Sequence, residues 1–382
     1  MDPKDFPNQD SGKIIRSPNG FWAFIPNPLP PKINWSLALV SRLSEAERNL
    51  SRLATLADNF PFPQLLLQPF IRIEAVLSSR IEGTHASLIG LYTYETDQQP
   101  TSDVVEVYNY VRAMEYGLER LKILPVSLRL MRELHEKLFT NIHADLVTPG
   151  EFRRSQNWIG PAGSTLSNAP YVPPPIDEMH PALDALEKFI NADPQIPALA
   201  RAGMIHYQFE AIHPFLDGNG RVGRLLIILL LCEWGLLPYP LLNLSTYIEH
   251  YRQEYYDHLL AVSQTGNWES WLNFFLRGIS EQSNQDVARI ELLQEIRTKY
   301  QVFAIADRNP NRMSAFIDFL FTRPILSVRQ AAAGMGIPFK TARDYTLKLE
   351  RAGVIHEITG YARNRIYQAD EILAAIQLSG QI

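Results

Sequence analysis

The sequence predicts a mostly α-helical protein with an extended flap in its middle and a helix-turn-helix with a β-wing at its C-terminal end. Three observations support this fold class. Apolar residues recur at helical spacing along most of the chain. Gly, Pro, Ser and Asn concentrate between residues 155 and 175, which favours a hairpin or an extended flap. After residue 309 the pattern reads helix, turn, helix, hairpin, which is the order of a winged helix-turn-helix.

The bulk composition is that of an ordinary globular protein. The chain has 382 residues, of which 46% are hydrophobic and 20% are charged, and its formal net charge is -5, so there is no global basic signature for nucleic acid. The single cysteine, Cys232, excludes an intrachain disulfide and is expected to be a buried, inert thiol. The longest apolar run, 225–232, is too short for a membrane helix, and residues 1–12 do not resemble a signal peptide. A cytoplasmic protein without a membrane partner is therefore expected.

The expected elements begin with a loop of thirty-odd residues, because four prolines oppose a helix there: Pro26, Pro28, Pro30 and Pro31. Helices are expected over about 43–56 and about 68–84, the second with Pro69 in its first turn. Asp103 and Glu106 have the spacing of a capping box that would open a helix towards residue 121. Further helices are expected over about 127–139, 177–191, 198–212, 220–234, 251–263 and 268–300.

The C-terminal segment differs from the rest of the chain in charge. Residues 309–382 contain nine basic and six acidic residues, a formal charge of +3. Residues 327–334 and 339–351 are predicted to form two helices joined by a turn, and residues 354–358 and 365–367 a hairpin. We therefore predict four parts: an N-terminal helical region (1–100), a central domain (101–280), a linker helix (281–308) and a winged helix-turn-helix domain (309–382).

The segment from His213 to Arg224 concentrates residue types that bind and act on phosphates. His213 supplies an imidazole that can take a proton from a hydroxyl, and Pro214 after it favours an extended backbone. Asp217 supplies a carboxylate beside a glycine-rich loop, which suits Mg²⁺ shared with phosphate oxygens. The apolar run that follows places this loop at the N-terminus of a buried helix, where free N–H groups and the helix dipole favour an anion.

The glycine-rich loop and two arginines complete this pattern. Gly218, Asn219 and Gly220 permit backbone angles at which several N–H groups converge on one anion, and Asn219 adds a side-chain donor. Arg221 and Arg224 lie three residues apart on the predicted helix, so both can reach the same side, and their guanidinium groups suit phosphate oxygens. The sequence has no Gly-Lys-Ser/Thr P-loop, which argues against an ordinary P-loop NTPase.

Residues 213–224 resemble the signature of Fic-domain proteins, His-x-Phe-x-(Asp/Glu)-Gly-Asn-Gly-Arg-x-x-Arg, at every specified position. The flap and the preceding Arg153-Arg154 agree with this resemblance, which covers roughly residues 20–280. Members of this family typically transfer AMP from ATP to a hydroxyl of a target protein and release pyrophosphate. The resemblance therefore implies a Fic-type helical core, ATP as the substrate, Mg²⁺ as the cofactor, and a target protein that docks on the flap 155–175 by strand addition.

The resemblance also implies a role for each motif residue. His213 would be the general base for a Tyr, Thr or Ser hydroxyl, and Asp217 would hold Mg²⁺ across the α- and β-phosphates. Asn219 and the loop N–H groups would stabilise charge on the α-phosphate, whereas Arg221 would hold the β-phosphate and Arg224 the γ-phosphate. The residues expected to bind the nucleotide are Gly218, Asn219, Gly220, Arg221, Val222, Gly223, Arg224, Tyr255 and Tyr256.

Two of these expectations concern aromatic residues. Phe215 would pack inward and fix the loop. Tyr255 and Tyr256 resemble the paired tyrosines that lie near adenine in some members of the family. A tyrosine pair is equally typical of a plain core, so both interpretations stay open for these two residues.

A shorter motif lies upstream. Residues 78–83, Ser-Ser-Arg-Ile-Glu-Gly, match the pattern (Ser/Thr)-x-x-x-Glu-(Gly/Asn), which marks an inhibitory helix in the family. By this resemblance Ser78, Glu82 and Gly83 are the inhibitory residues. Glu82 would pair bidentately with Arg224 and take the partner of the γ-phosphate, so that bound ATP would not present its α-phosphate in line for attack. In some relatives this glutamate instead supports removal of AMP from a modified target.

Two other functions remain open at this stage. The chain could be a DNA-binding regulator whose Fic body senses a nucleotide, with Lys340, Arg343 and Lys348 on the recognition helix and Arg363 and Arg365 on the wing. Some Fic relatives transfer UMP, phosphocholine or phosphate, although the intact motif favours a nucleoside triphosphate. A homo-oligomer is also possible.

Overall fold

The structure of the chain, a computed structural model, is mostly helical with two small sheets. It describes residues 1–8, 10–60, 62–94, 101–142, 148–192 and 195–377. The helices are α1 Leu37–Asp58, α2 Gln64–Ile81, α3 Leu88–Thr93, α4 Ser102–Arg120, α5 Leu128–Leu138, α6 Ile176–Asn191, α7 Ala198–Ile212, α8 Asn219–Glu233, α9 Leu244–His250, α10 Arg252–Thr265, α11 Trp268–Ile305, α12 Pro310–Thr322, α13 Val328–Met335, α14 Phe339–Arg351 and α15 Asp370–Ile376. The strands are β1 Gly12–Arg16, β2 Trp22–Pro26, β3 Ile325–Ser327, β4 His356–Glu357 and β5 Ile366–Gln368.

The helical prediction is confirmed most closely where apolar spacing is clear. Helices α7 and α14 have the predicted bounds. Helix α5 begins after Ser127, whose Oγ accepts the N–H of Leu130 at 3.4 Å. Helix α11 runs for 38 residues, so most of the expected linker helix is the second half of a single long helix. Helices α3, α9, α12 and α15 were not predicted.

The N-terminal prediction of a loop is wrong. Strands β1 and β2 pair antiparallel, with Gly12 opposite Pro26. The prolines that oppose a helix fall at the end of β2 or after it, where they do not interrupt the ladder. The N–H of Phe24 donates to the carbonyl of Val172 at 2.9 Å, so this hairpin supports the base of the flap.

Two local predictions about helix starts are also wrong. Pro69 is the sixth residue of α2, not part of its first turn. A proline inside a helix removes one backbone hydrogen bond, and the burial of most of α2 offsets that loss. The expected capping box at Asp103 and Glu106 does not form, since α4 starts after Thr101 and Asp103 Oδ2 accepts the N–H of His85 at 2.7 Å. Glu106 instead forms an ion pair with Arg221.

Helix α8 lies at the centre of the protein. Every residue from Leu225 to Leu231 is 1% exposed or less, because α4, α5 and α7 surround the helix together with α2. Full burial of this apolar run fixes the position of the α8 N-terminus. Cys232 is partly exposed, which corrects the expectation of a buried thiol, although its apolar surroundings raise its pKa to about 12 and keep it unreactive. None of the described helices is long and apolar enough to span a bilayer.

The flap is an irregular hairpin, as predicted. Its two arms meet in one antiparallel bridge between Ile159 and Tyr171. The hydroxyl of Tyr171 donates to the carbonyl of Ala211 at 2.8 Å. The flap is therefore tied to the end of α7, beside the loop that carries His213.

The C-terminal elements follow the predicted order. Helices α13 and α14 are joined by a turn at Gly336, and the hairpin β4–β5 comes next, with β3 on the other side of β5. Ser327 and Gln330 form a capping box at the start of α13. Helices α12 and α15 pack on α2 and α11, and their apolar residues belong to the same continuous core as the rest of the chain.

Candidate functional site

The phosphate-binding motif forms a tight loop between α7 and α8. His213 ends α7 with φ 50 and ψ 61, and its N–H donates to the carbonyl of Phe209 at 3.0 Å. This left-handed ending satisfies a terminal carbonyl of α7. It therefore corrects the extended backbone that Pro214 led us to expect. Gly218, with φ 79, then starts α8.

Aromatic stacking holds the loop against α5. Phe215 is fully buried, as expected, and stacks on His135 with ring centroids 3.9 Å apart and planes within 3°. His135 Nδ1 accepts the N–H of Gly150 at 2.9 Å, so its Nε2 donates to the carbonyl of Asp217 at 3.1 Å. Burial lowers the pKa of His135 to about 4, which keeps the ring neutral. Sequence reasoning missed His135, because its partner lies 82 residues away.

The side chain of Asn219 shapes the loop. Its Oδ1 accepts the N–H of Phe215 and its Nδ2 donates to the carbonyl of Phe215, both at 2.9 Å. One of the two N–H groups of the side-chain amide is therefore engaged within the loop. Val222 is fully buried, and a Cβ on Gly223 would lie 2.3 Å from Oε1 of Glu210. These two residues thus serve packing between α7 and α8.

The carboxylate of Glu82 lies on the N-terminal turn of α8. A Cβ added to Gly220 would lie 2.2 Å from Glu82 Oε1, so the glycine permits this close approach. The first N–H groups of a helix have no intrahelical partner and attract anions. Glu82 is the C-cap residue that follows α2, and Gly83, with φ 100, turns the chain away after it. The structure therefore puts a carboxylate at the position where the motif predicts phosphate.

Arg224 joins α8 to the upstream motif. Its Nη2 lies 2.6 Å from Glu82 Oε1, its Nε donates to Ser78 Oγ at 2.8 Å, and its Nη2 donates to the carbonyl of Ser78 at 2.9 Å. The side chain of Arg224 is only 2% exposed. Burial raises the pKa of Glu82, but the charge and hydrogen bond of Arg224 outweigh it and hold that pKa below its usual value. The pair is thus ionised near neutral pH. The described contact joins Nη2 to Oε1, which corrects the bidentate pair expected from the sequence, because Nε of Arg224 donates to Ser78 instead.

Arg221 has a different carboxylate partner. Its Nη1 lies 2.9 Å from Oε2 of Glu106 in α4, and its Nη2 lies 3.8 Å from Oδ2 of Asp217. The guanidinium lies over the ring of Phe139, 5.2 Å from its centroid. Asp217 is 61% exposed. It is the one carboxylate of residues 213–224, and its exposure makes it accessible to a metal ion.

His213 is held as a neutral imidazole. Its Nδ1 lies 3.3 Å from the carbonyl of Glu210, and its side chain is 19% exposed. Burial lowers its pKa to about 4, with Arg153 lowering it further and Glu82 and Asp217 opposing. Since Nδ1 faces a carbonyl, Nδ1 carries the proton, and the lone pair of Nε2 is the one that can accept a proton.

Two residues at the base of the flap hold the backbone carbonyl of His213. Arg153 is 2% exposed, and its Nε donates to the carbonyl of His213 at 3.0 Å while its Nη2 donates to the carbonyl of Pro174. Asn157 Nδ2 donates to the carbonyls of His213 and Phe215 at 3.2 and 2.8 Å. Sequence reasoning identified Arg153 only as part of the approach to the flap. Arg153 is buried and its partners are backbone carbonyls far away in the sequence. No sequence pattern therefore indicates its contact with His213.

The two tyrosines differ in burial. Tyr255 is 1% exposed, and its hydroxyl bonds to His206 Nε2 at 2.8 Å, which fits the core interpretation. Tyr256 is 37% exposed. Burial raises the pKa of both tyrosines, and Glu82 and Arg224 are among the charges that act on each of them.

Two adjacent family models cover the site and its N-terminal neighbours. Residues 40–119 match the Fic/DOC family N-terminal model, and residues 125–231 match the Fic/DOC family model. The second match contains the motif loop and the first contains Glu82 and Glu106. The chain belongs to the Fic/DOC family. The helical core and the motif at 213–224 are thus those of a Fic-domain protein.

Curated Fic relatives are similar over part of the chain. Protein adenylyltransferase Fic of Culex quinquefasciatus is 31% identical over 151 residues, which are 39% of this chain and 27% of the relative. Protein adenylyltransferase Fic of Drosophila grimshawi is 27% identical over 187 residues, which are 47% of this chain and 35% of the relative. The match thus spans about a third or less of these relatives.

Solved Fic structures share the fold over a longer stretch. A Fic family protein from Desulfovibrio desulfuricans G20 aligns with a TM-score of 0.56 at 19% identity, over 89% of this chain and 98% of that one. Fic-1 from C. elegans aligns with a TM-score of 0.51 at 19% identity, over 66% of this chain and 74% of that one. At this identity the likeness concerns the fold alone.

The Arg153 contacts predict a sensitive position in this Fic protein. Arg153→Met removes the Arg153 hydrogen bond to the carbonyl of Pro174 and leaves the carbonyl of His213 with the Asn157 amide as its donor, so we expect the free energy of unfolding to fall by about 2 kcal/mol. Urea denaturation measures the change. The neighbouring Arg154 provides the control, because its side chain is 85% exposed and forms a surface ion pair with Glu151. Arg154→Met should cost less than about 0.5 kcal/mol. Equal costs for the two variants would refute the positioning role.

The lowered pKa of His213 predicts a flat pH profile for any reaction that it serves as a base. A base works when deprotonated, and His213 with a pKa of about 4 is already deprotonated at pH 6. The kcat/KM of the Fic protein should therefore change little between pH 6 and 8. An imidazole with the ordinary pKa would lose about fourfold over the same interval. A fourfold fall at pH 6 would show that His213 titrates normally.

Proposed function

We propose that this Fic protein is a protein adenylyltransferase that moves AMP from ATP to a Tyr, Thr or Ser hydroxyl and is autoinhibited by Glu82. The observation that carries the proposal is the carboxylate of Glu82 on the N-terminal turn of α8, bound to Arg224 at 2.6 Å. A site that holds a carboxylate at a helix N-terminus between arginines also suits a phosphate. The curated relatives carry the name protein adenylyltransferase, which supports this reaction.

The chemistry assigns one role to each group of the loop. The hydroxyl oxygen of the target would attack the α-phosphorus, the bond from that phosphorus to the β-bridging oxygen would break, and pyrophosphate would leave. The proton of the hydroxyl would pass to Nε2 of His213, because Nδ1 is directed at the carbonyl of Glu210. The free N–H groups at the start of α8 would stabilise the developing charge on the α-phosphate.

Asp217 fits a magnesium site of the kind that a nucleotide completes. One accessible carboxylate is what Mg²⁺ commonly takes from a protein when phosphate oxygens and water supply the other ligands. No cluster of three or more potential ligand side chains occurs among the described residues, so such an ion would depend on the nucleotide for further ligands. Mg²⁺ would neutralise phosphate charge during transfer.

The two tyrosines and the flap are proposed to contact the adenine and the target protein. Tyr256 would border the adenine, and Tyr255 would support it from the core. The flap 155–175, whose arms meet in a single bridge, would receive an extended segment of the target by strand addition. The domain boundaries at 100, 280 and 308 remain part of this proposal, as does the possibility of a homo-oligomer.

Intact mass measurement tests the proposed reaction. The chain with Glu82→Gly, incubated with ATP and Mg²⁺, should gain the mass of one or more AMP groups. UTP and GTP in parallel identify the donor, since UMP or GMP additions have different masses. No covalent addition to the chain or to any protein of a lysate that is offered as the target would refute adenylyl transfer.

A second candidate function concerns residues 309–382, which we propose to be a winged helix-turn-helix domain that binds DNA. Lys340 and Arg343 on α14 and Arg363 and Arg365 in the β4–β5 hairpin are all exposed, as direct contact with phosphates and base edges requires. A gel shift with duplex DNA that weakens as salt rises would support this function. No shift even at low salt would exclude it. Removal of AMP from a modified target is a further activity that Glu82 could support, and it is tested with purified modified protein.

A further inference from the structure

Arg221 is held by a carboxylate to which the motif assigns no role. Glu106 comes from the first turns of α4, 115 positions away in sequence, and its Oε2 lies 2.9 Å from Nη1 of Arg221. The side chain of Arg221 is 4% exposed, that of Glu106 28%. The ring of Phe139 covers one face of the guanidinium. Stacking on one face and a charged hydrogen bond at one end leave Arg221 little rotational freedom.

The other end of the Arg221 guanidinium lies near Asp217, the carboxylate proposed to hold the metal ion. Nη2 of Arg221 lies 3.8 Å from Oδ2 of Asp217, which is beyond an ordinary hydrogen bond. This Nη2 therefore points towards the space that a phosphate and its metal ion would share. Without Glu106, Arg221 could turn towards the carboxylate of Asp217.

We propose that Glu106 is a positioning residue that orients Arg221 towards the β-phosphate of the bound nucleotide, an inference that rests on the proposed nucleotide-binding function. Glu106 acts through Arg221 and does not itself touch the nucleotide. Its role is opposite to that of Glu82. Glu82 lies on the N-terminal turn of α8, where it excludes phosphate, whereas Glu106 holds the far end of an arginine and leaves that turn open.

Residues 40–119, which match the Fic/DOC family N-terminal model, thus supply one carboxylate to each motif arginine. Glu82 from α2 pairs with Arg224, and Glu106 from α4 pairs with Arg221. Both carboxylates lie within residues 40–119, outside the segment that carries the motif itself. The phosphate grip of the motif is therefore assembled by both regions of the chain, and only one of the two contributions is inhibitory.

Nucleotide titration separates positioning from a merely structural role. In the full chain with Glu82→Gly, we expect Glu106→Gln to weaken ADP binding about tenfold and to change AMP binding by less than about twofold, because only ADP has a β-phosphate. Glu133→Gln is the matched control. Glu133 forms a bidentate pair with Arg120 of the same helix α4, at 2.8 and 3.0 Å, away from the loop. This control should leave the ADP to AMP affinity ratio unchanged.

The outcomes are distinct. Equal weakening of ADP and AMP by Glu106→Gln would indicate general damage to the site and overturn the inference, as would no change in either. A rise in ADP affinity would make Glu106 a second inhibitory carboxylate and would also overturn it. Glu106→Asp, which keeps the charge but shortens the side chain, serves as the test variant where Glu106→Gln does not fold. If the Glu82→Gly chain binds ADP more tightly than AMP but transfers no AMP, the proposed reaction fails while this inference stands.

Discussion

His213→Ala should lower adenylyl transfer by about a thousandfold in the chain that carries Glu82→Gly, since general bases contribute factors of this order. The imidazole is preorganised to accept a proton, because Nδ1 faces the carbonyl of Glu210 and burial keeps the ring neutral. Arg153 and Asn157 also hold the carbonyl of His213 in place. Transfer of phosphate labelled at the α-position from ATP to protein is the measurement.

The same variant should keep its affinity for ATP. His213 contacts no proposed phosphate ligand, so its loss removes the base and leaves Arg221, Arg224 and the α8 N-terminus intact. A His213→Ala chain that transfers at the rate of its parent would remove His213 from the role of base. Loss of both transfer and ATP binding would instead indicate collapse of the loop.

Glu82→Gly should raise transfer by on the order of a hundredfold, because a phosphate displaced by about 1 Å from the in-line position costs a factor of this size. In the wild-type chain Arg224 Nη2 is engaged by Glu82 Oε1 at 2.6 Å and by the carbonyl of Ser78 at 2.9 Å. Removing the carboxylate frees Nη2 of Arg224 from one of its two acceptors. It also leaves the N-terminal turn of α8 accessible to phosphate. Initial rates of labelled transfer, wild type beside variant, measure the release.

Glu82→Gln separates charge from bulk in this release. The amide keeps the size of the side chain but cannot form an ion pair with Arg224, so we expect activation between that of wild type and Glu82→Gly. The ion pair itself should persist across pH 6 to 9, because Arg224 holds the pKa of Glu82 below its usual value. Protonation would weaken the pair only as the pH falls through that lowered pKa. Inhibition that disappeared between pH 8 and 6 would contradict this mechanism.

The helical body and the motif were accessible from the sequence, since both are encoded locally. Helices α7 and α14 follow from apolar spacing over 15 and 13 residues, and the motif is a contiguous run of residues. The N-terminal hairpin was missed because its strands have only five residues each and adjoin several prolines. Short strands give weak periodic signals, and the pairing between them is not visible in composition.

The partners of the site residues could be predicted only where a motif pattern named them. The pairing of Glu82 with Arg224, 142 positions apart, came from a family pattern. The pairing of Glu106 with Arg221 and the contacts of Arg153 had no such pattern. Glu106 was instead assigned to a capping box on its spacing from Asp103, but in the folded chain an ion pair with a buried arginine engages the same carboxylate. When the local sequence is compatible with more than one contact of a side chain, tertiary contacts decide which one forms.

The central claim is that Glu82 and the γ-phosphate of ATP compete for Arg224. It is tested most directly by titrating ATP and ADP into His213→Ala and into His213→Ala with Glu82→Gly, so that no transfer consumes the nucleotide. Competition predicts that removing Glu82 tightens ATP binding by about tenfold and changes ADP binding by less than about twofold, since only ATP carries the γ-phosphate. Equal changes in the affinities for ATP and ADP, or no change in either, would contradict it.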